Sequence, residues 1–205
     1  MGEMCDLRER IQNFTAECGI DTTYEWNGQN ADSVNIDFAN WHAAMSEAME
    51  RHDTAALENI VGEIFRWGGV GSERLKKVYA QRLRDQDTSV GASCVTPLSS
   101  WSKVLAAYAP KKFFIYDSRV AIALKVLVPE YAWFLPRSRQ TDGRRQLTAC
   151  LRVNDRRAKT QAESYRNYLE ILPEGQQLEC ERTLFMLGRN IDVTVAEKWL
   201  TRHGW

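Results

Sequence analysis

Pro110 is the residue that most restricts how this chain can fold. A proline has no N–H for a helical ladder, and its ring clashes with the preceding turn. It stands inside a stretch that reads as two helices joined by a short hinge, TPLSSWSKVLAAYAPKKFFIYDSRVAIALKVLV from Thr96 to Val128. The pattern is therefore cut in two. The first helix is predicted to open at Ser99 or Ser100, whose hydroxyl can accept an orphan N–H of the first turn. It carries Trp101, Val104, Leu105 and Tyr108 on an apolar face. A basic, aromatic hinge follows, Lys111-Lys112-Phe113-Phe114-Ile115-Tyr116. Asp117 then stands as the cap of a second helix, predicted over Arg119 to Val128 and apolar enough to be core. Lys103 lies near the head of one helix and Asp117 at the head of the next, so the two are expected to face a common cleft.

The remaining chain repeats the helical period. Leu7, Ile11, Phe14 and Cys18 mark an amphipathic helix within residues 1–25, closed by Gly19. Residues 26–30 form a turn, and further helices are predicted over Ser33–Arg51, Thr54–Arg66 and Ser72–Arg84. Trp67-Gly68-Gly69-Val70-Gly71 interrupts them, where glycines allow a sharp turn or a close approach to a ligand. After an exposed Arg/Ser/Gln-rich loop, helices are predicted over Tyr165–Leu172, Leu178–Gly188 and Val193–Arg202. No alternating strand pattern, repeat or long linker interrupts the chain. The expectation is an all-α protein of one domain, residues 1–205, with an acidic N-terminal stretch over residues 1–65 and a basic remainder over residues 66–205.

Charge supports that division. The formal net charge is zero, yet residues 1–63 hold 13 acidic and 3 basic residues while residues 64–205 hold 14 acidic and 24 basic. The basic residues concentrate in Arg66–Arg84 and Arg137–Arg166. Each run alone reads as a solvated helix face; the segregation by half points instead to a footprint for a phosphate backbone. No apolar run approaches the ~18 residues needed to cross a bilayer, and the N-terminus lacks the order of a signal peptide. Five scattered cysteines argue for reduced thiols in a cytoplasm. With only three histidines and no zinc-like spacing, neither metal nor cofactor is expected.

By residue type alone, Asp117 is a helix cap and Lys103 a surface charge. The arrangement of small-residue turn, lysine opening a helix, basic-aromatic hinge and apolar-x-Asp-Ser-x-Val, however, resembles the helix-hairpin-helix DNA glycosylases. FIYDSRVAIAL is similar to their apolar-x-Asp-Thr/Val-x-Val segment, and SSWSKVL stands where their Gly-Val-Gly-x-Lys-x-Ala hairpin would be. Ser99 and Trp101 occupy the places of the hairpin glycines, whose N–H groups hold a DNA phosphate in that family. The five cysteines provide no counterpart of the four-cysteine iron–sulfur cluster of one branch. The 8-oxoguanine glycosylase branch, with small bacterial relatives that act on modified phage DNA, is the nearest in pattern.

The resemblance implies a two-lobed helical fold with a central cleft and a monomer bound to double-stranded DNA in the cytoplasm or nucleoid. It implies excision of a flipped, damaged or modified base, in repair or in defence against phage. Asp117 would stabilise positive charge on the sugar, and Lys103 would supply an amine to form a Schiff base with abasic-site cleavage. Trp67, Trp101, Tyr116 and Trp133, with Gly69, would line the base pocket; each aromatic taken singly is a core residue. Phosphate contacts would fall to Ser99, Ser100, Ser102, Lys111, Lys112, Arg119, Arg137, Arg139, Arg144 and Arg145. Two alternatives remain open: a DNA-binding or scaffold protein without the chemistry, and a helical interaction protein whose acidic half meets a basic partner.

Overall fold

The structure, a computed structural model, describes residues 6–90, 97–131, 133–136, 146–147, 151 and 160–204. Among these the named elements are all α-helices: α1 (Leu7–Cys18), α2 (Ala31–Glu50), α3 (Thr54–Trp67), α4 (Glu73–Arg84), α5 (Leu98–Tyr108), α6 (Ser118–Leu127), α7 (Gln161–Ile171), α8 (Gln177–Asn190) and α9 (Val193–Arg202). No strand occurs among the described residues; Trp26 and Gln29 form only an isolated bridge across a tight turn. The expected all-α class is what the chain adopts. None of the described helices is long and apolar enough to cross a membrane.

Polar caps set most of the helix starts. Side chains of Asp6, Asn30, Asp53, Ser72, Asp117, Thr160 and Asp192 each accept a backbone N–H of the helix they precede. Helix α2 opens at Ala31, two residues before the predicted Ser33, and two further starts differ from the sequence expectation for a visible reason. Helix α5 begins at Leu98, after Pro97, without a side-chain cap. Proline's restricted φ suits a helix start, and the Ser100 hydroxyl is drawn to the Pro97 carbonyl at 3.0 Å and to Tyr79 Oη at 2.7 Å. Helix α7 starts four residues before the predicted Tyr165, because Thr160 and Glu163 form a reciprocal capping box.

The helices group into two compact units. One, Glu25–Ile115, contains α2 to α5; the other, Met1–Tyr24 with Tyr116–Trp205, contains α1 and α6 to α9. This grouping cuts across the charge pattern. The Glu25–Ile115 unit carries 11 acidic and 10 basic residues, and the other carries 16 and 17. An imbalance of ten charges between halves of the sequence becomes one charge in each unit.

In the Glu25–Ile115 unit, α3 packs on α4 and α2, and α5 packs on α2 and α3. Leu57, Val61, Ile64, Tyr79, Leu83, Val104 and Leu105 form its buried interior. Helices α2 and α4 both close in the same way. At α2, His52 N donates to Met49 O and Asp53 N to Ala48 O; at α4, Gln86 N donates to Leu83 O and Asp87 N to Arg82 O. These are Schellman closures, in which the turning residue is left-handed and usually glycine. Here it is His52 (φ 52°) and Gln86 (φ 55°), at an expected cost of about 1–2 kcal/mol each.

In the other unit α6 and α8 make the most extensive pairing, with α1 and α9 also against α6. Helix α6 is buried on all sides, so its partner must come very close. Gly188 permits this: a Cβ there would lie 1.8 Å from the carbonyl oxygen of Arg119 and 2.5 Å from its carbon. Both clashing groups are backbone and cannot swing away. Gly188→Ala is therefore expected to lose about 3 kcal/mol by overpacking, the upper end of the usual range, because the clash is with backbone, against a helix-propensity gain of about 1 kcal/mol. Gly62→Ala is the control, since its Cβ would meet chiefly the movable Lys76 stem at 3.2 Å. Urea unfolding should show Gly62→Ala neutral or stabilising and Gly188→Ala severely destabilised; equal midpoints would refute the close approach.

Candidate functional site

Lys103 belongs to the Glu25–Ile115 unit and is 7% exposed, on a helix buried over most of its length. Its stem crosses Gly68, where a Cβ would come within 2.7 Å of Lys103 Cδ. A side chain at position 68 would therefore push the lysine out of its channel. The ammonium end donates to the Ser99 carbonyl one turn back, at 2.9 Å. The glycine pair after α3 is thus used at one position for close approach and at the other for a turn: Gly69 is exposed with φ 66°.

Asp117 belongs to the other unit and is 4% exposed. Oδ1 accepts from Arg119 N at 2.8 Å and Val120 N at 3.2 Å, as predicted for the cap of α6. Oδ2 pairs with the Arg119 guanidinium at 3.0 Å. That guanidinium also lies 4.9 Å over the Phe185 ring of α8. Phe185 is 5.9 Å from Tyr24, whose other neighbour is the Arg182 guanidinium at 5.4 Å. Burial pushes the Tyr24 hydroxyl up to about 12, with the negative charges of Glu181 and Asp117 adding to it against Arg182 and Arg119. Tyr168 is raised further, again first by burial and then by Glu181, Tyr165 and Asp117. A buried carboxylate, a guanidinium and two phenols kept in their neutral form thus gather at the head of α6.

The remaining sequence candidates divide among packing, surface and residues outside the description. Trp101 is fully buried, tilted against Tyr79 at 4.8 Å under the Arg82 guanidinium, and its Nε1 donates to Ser89 O. Tyr116 is fully buried; its hydroxyl donates to Phe134 O at 2.8 Å, and burial raises its pKa. Trp133 is buried with Nε1 donating to Val128 O. Trp67 is half-buried in an edge-to-face cluster with Trp26, Phe38 and Trp41. Ser100 and Ser102 are buried, with Ser100 engaged as above; Ser99 is half-buried. The N–H groups of Ser100 and Trp101 both donate to Pro97 O, at 3.2 and 3.1 Å. Lys111 and Lys112 are exposed, and Arg119 is half-buried against Asp117. Arg137, Arg139, Arg144 and Arg145 lie outside the described residues, as does most of the second basic cluster.

Sequence reasoning missed Glu181, Tyr24 and Tyr168. Glu181 was visible in principle, because it shares a helix face with Leu184, Phe185 and Gly188 (i, i+3, i+4, i+7), and a carboxylate on an apolar face invites attention. Tyr24 carried no such signal, since it lies outside any helix. Among the described residues no group of three or more His, Cys, Asp or Glu side chains is arranged to hold a metal ion. No protein family, characterised protein or solved structure matches the chain.

The Tyr168 hydroxyl is buried with no hydrogen-bond partner among the described residues. An unsatisfied buried hydroxyl costs about 1–3 kcal/mol. Tyr168→Phe is therefore expected to raise unfolding stability by about 1 kcal/mol. A comparable loss in a urea melt would mean that the hydroxyl has a partner.

Proposed function

We propose that this chain is a DNA glycosylase of the helix-hairpin-helix kind, which flips a modified or damaged base out of double-stranded DNA and cleaves its bond to the sugar. The observation that carries the reading is the burial of Asp117. A cap does not require burial: Asp6, Asp53 and Asp192 cap α1, α3 and α9 from exposed positions. Asp117 performs the same structural task at 4% exposure, where desolvating a carboxylate costs several kcal/mol and must be offset by pairing. A charge kept in so unfavourable a place fits a role in chemistry.

In this mechanism, departure of the base leaves positive charge on the sugar, and the Asp117 carboxylate stabilises it. The Lys103 amine, once released from the Ser99 carbonyl and deprotonated, attacks C1′. The base leaves with the electrons of its bond and takes up a proton, and the new C1′–N bond opens the sugar to a Schiff base. Attack by water instead leaves an abasic site. The second reading, a helical DNA-binding or scaffold protein without chemistry, is favoured by the hairpin backbone: the N–H groups of Ser100 and Trp101 are already given to Pro97 O.

The glycosylase reading and the DNA-binding form of the second reading both require DNA, so duplex affinity should fall steeply with salt, log K against log salt having a slope of about −0.9 per phosphate neutralised. Affinity unchanged between low and moderate salt would remove them together. Asp117→Asn distinguishes the two. It keeps the cap oxygen but turns an amide NH2 toward Arg119, so stability should fall by about 1–3 kcal/mol, while base release falls about a hundredfold or more. Arg119→Gln breaks the same ion pair but keeps the carboxylate, so with DNA at saturation it should retain more base release than Asp117→Asn. Borohydride should trap a protein–DNA adduct that Lys103→Gln abolishes. Wild-type turnover by Asp117→Asn on a processed substrate would leave Asp117 a cap.

A further inference from the structure

A cavity of about 660 Å³ opens within the Glu25–Ile115 unit, where α2, α4 and α5 all end. Helix C-termini ordinarily collect cations to cap their carbonyls. Here the chain's own N–H groups already do so: the two Schellman closures serve α2 and α4, and Ala109 N donates to Leu105 O at the end of α5. The cations in the cavity wall are therefore not consumed as caps. Among the described residues Arg84 forms a long ion pair with Asp85 and a long contact to Thr54, both at 3.5 Å. Lys112 lies 5.1 Å over the Phe113 ring. Glu50 is the one carboxylate among the described lining residues.

Two further observations bear on the same wall. His52 and Gln86, the left-handed residues that close α2 and α4, both line the cavity. Glycine would relax each turn, and side chains kept in a costly conformation beside a cavity suggest a use for them. His42 lines it as well, and its Nδ1–H donates to Tyr108 O at 2.7 Å, which leaves Nε2 for a ligand. Arg74 and Lys77 share one face of α4 with Arg84 of the cavity wall (i, i+3, i+10), and all three are exposed. A row of cations thus leads to a cavity with a cationic rim, an aromatic wall of Tyr108 and Phe113, and the amide and hydroxyl of Gln86 and Thr88.

We propose that this cavity binds a nucleotide, its phosphate between Arg84 and Lys112 and its base against the aromatic wall, either as a free nucleotide or as one unit of a strand. The phosphate takes the guanidinium fork and the ammonium, and the amide and hydroxyl serve the sugar and base edges. The site lies within one unit and does not rest on the reading of base excision.

The histidines make the site testable in the full chain. Of the three, His42 and His52 line the cavity, while His203 stacks on Trp199 after α9 and serves as an internal control. Titration with dAMP, followed by the imidazole carbon–proton NMR signals, should move His42 and His52 and leave His203 in place. Deoxyadenosine, lacking the phosphate, should bind at least tenfold more weakly, and Arg84→Gln and Lys112→Gln should each weaken dAMP at least tenfold. If a short duplex moves the same two signals and competes with dAMP, the site serves a strand; if only dAMP moves them, it serves a free nucleotide. Equal movement of His203, equal binding of deoxyadenosine, or dAMP affinity unaffected by both substitutions would overturn the proposal. So would silence of both signals with millimolar dAMP and with duplex. A silent cavity in a chain that excises a base would sink this proposal alone, and nucleotide binding without base release would sink only the glycosylase reading.

Discussion

The carbonyl of Arg119 resting on the bare Cα of Gly188 is the contact on which the arrangement around Asp117 depends. With a Cβ at 188 only 1.8 Å from that oxygen, α6 and α8 would have to part at the head of α6. Because they do not part, the head of α6 is held beside the face of α8 that carries Glu181 and Phe185. Tyr24 and Tyr168 complete the surroundings. A missing methyl group thus determines the electrostatic setting of a carboxylate 71 positions earlier in the chain.

The other unit uses the same device. Gly68 has no side chain because the stem of Lys103 lies 2.7 Å from where its Cβ would be. Gly68 makes room for Lys103 itself and Gly188 for the backbone two residues after Asp117, and each charged side chain is buried beyond what its type ordinarily tolerates. Asp117 is offset by two amide N–H groups and a guanidinium, and Lys103 donates to a backbone carbonyl. The opposite choice is made at His52 and Gln86, where glycine would fit and a side chain stands instead. Stability is conceded at those turns, and both border a cavity.

Electrostatics shows how far linear order misleads. The acidic first third and basic remainder suggest two surfaces of opposite sign, yet each compact unit is within one charge of neutral. The reason is topological. The N-terminal helix α1 joins the C-terminal helices, and the acidic α2 and α3 fold with the basic α4. Any nucleic-acid surface must then come from local rows such as Arg74, Lys77 and Arg84 on α4, which the global balance neither reveals nor excludes.

The sequence by itself determined the class of structure and nearly every helix, because helical periodicity, polar caps and Pro110 act within a few residues of one another. It announced α6 and its Asp117 cap, the break at Gly68-Gly69, and Gly19 in the left-handed turn that closes α1. Local rules failed where an interaction came from further away: α5 begins on Pro97 because Tyr79 claims the Ser100 hydroxyl. Only the tertiary structure decided that Asp117 and Lys103 would be buried, that Glu181 and two tyrosines would lie near Asp117, and that three helix ends would border one open cavity. Burial and field are sums over neighbours brought together from distant parts of the chain, and no local pattern of residues encodes such a sum.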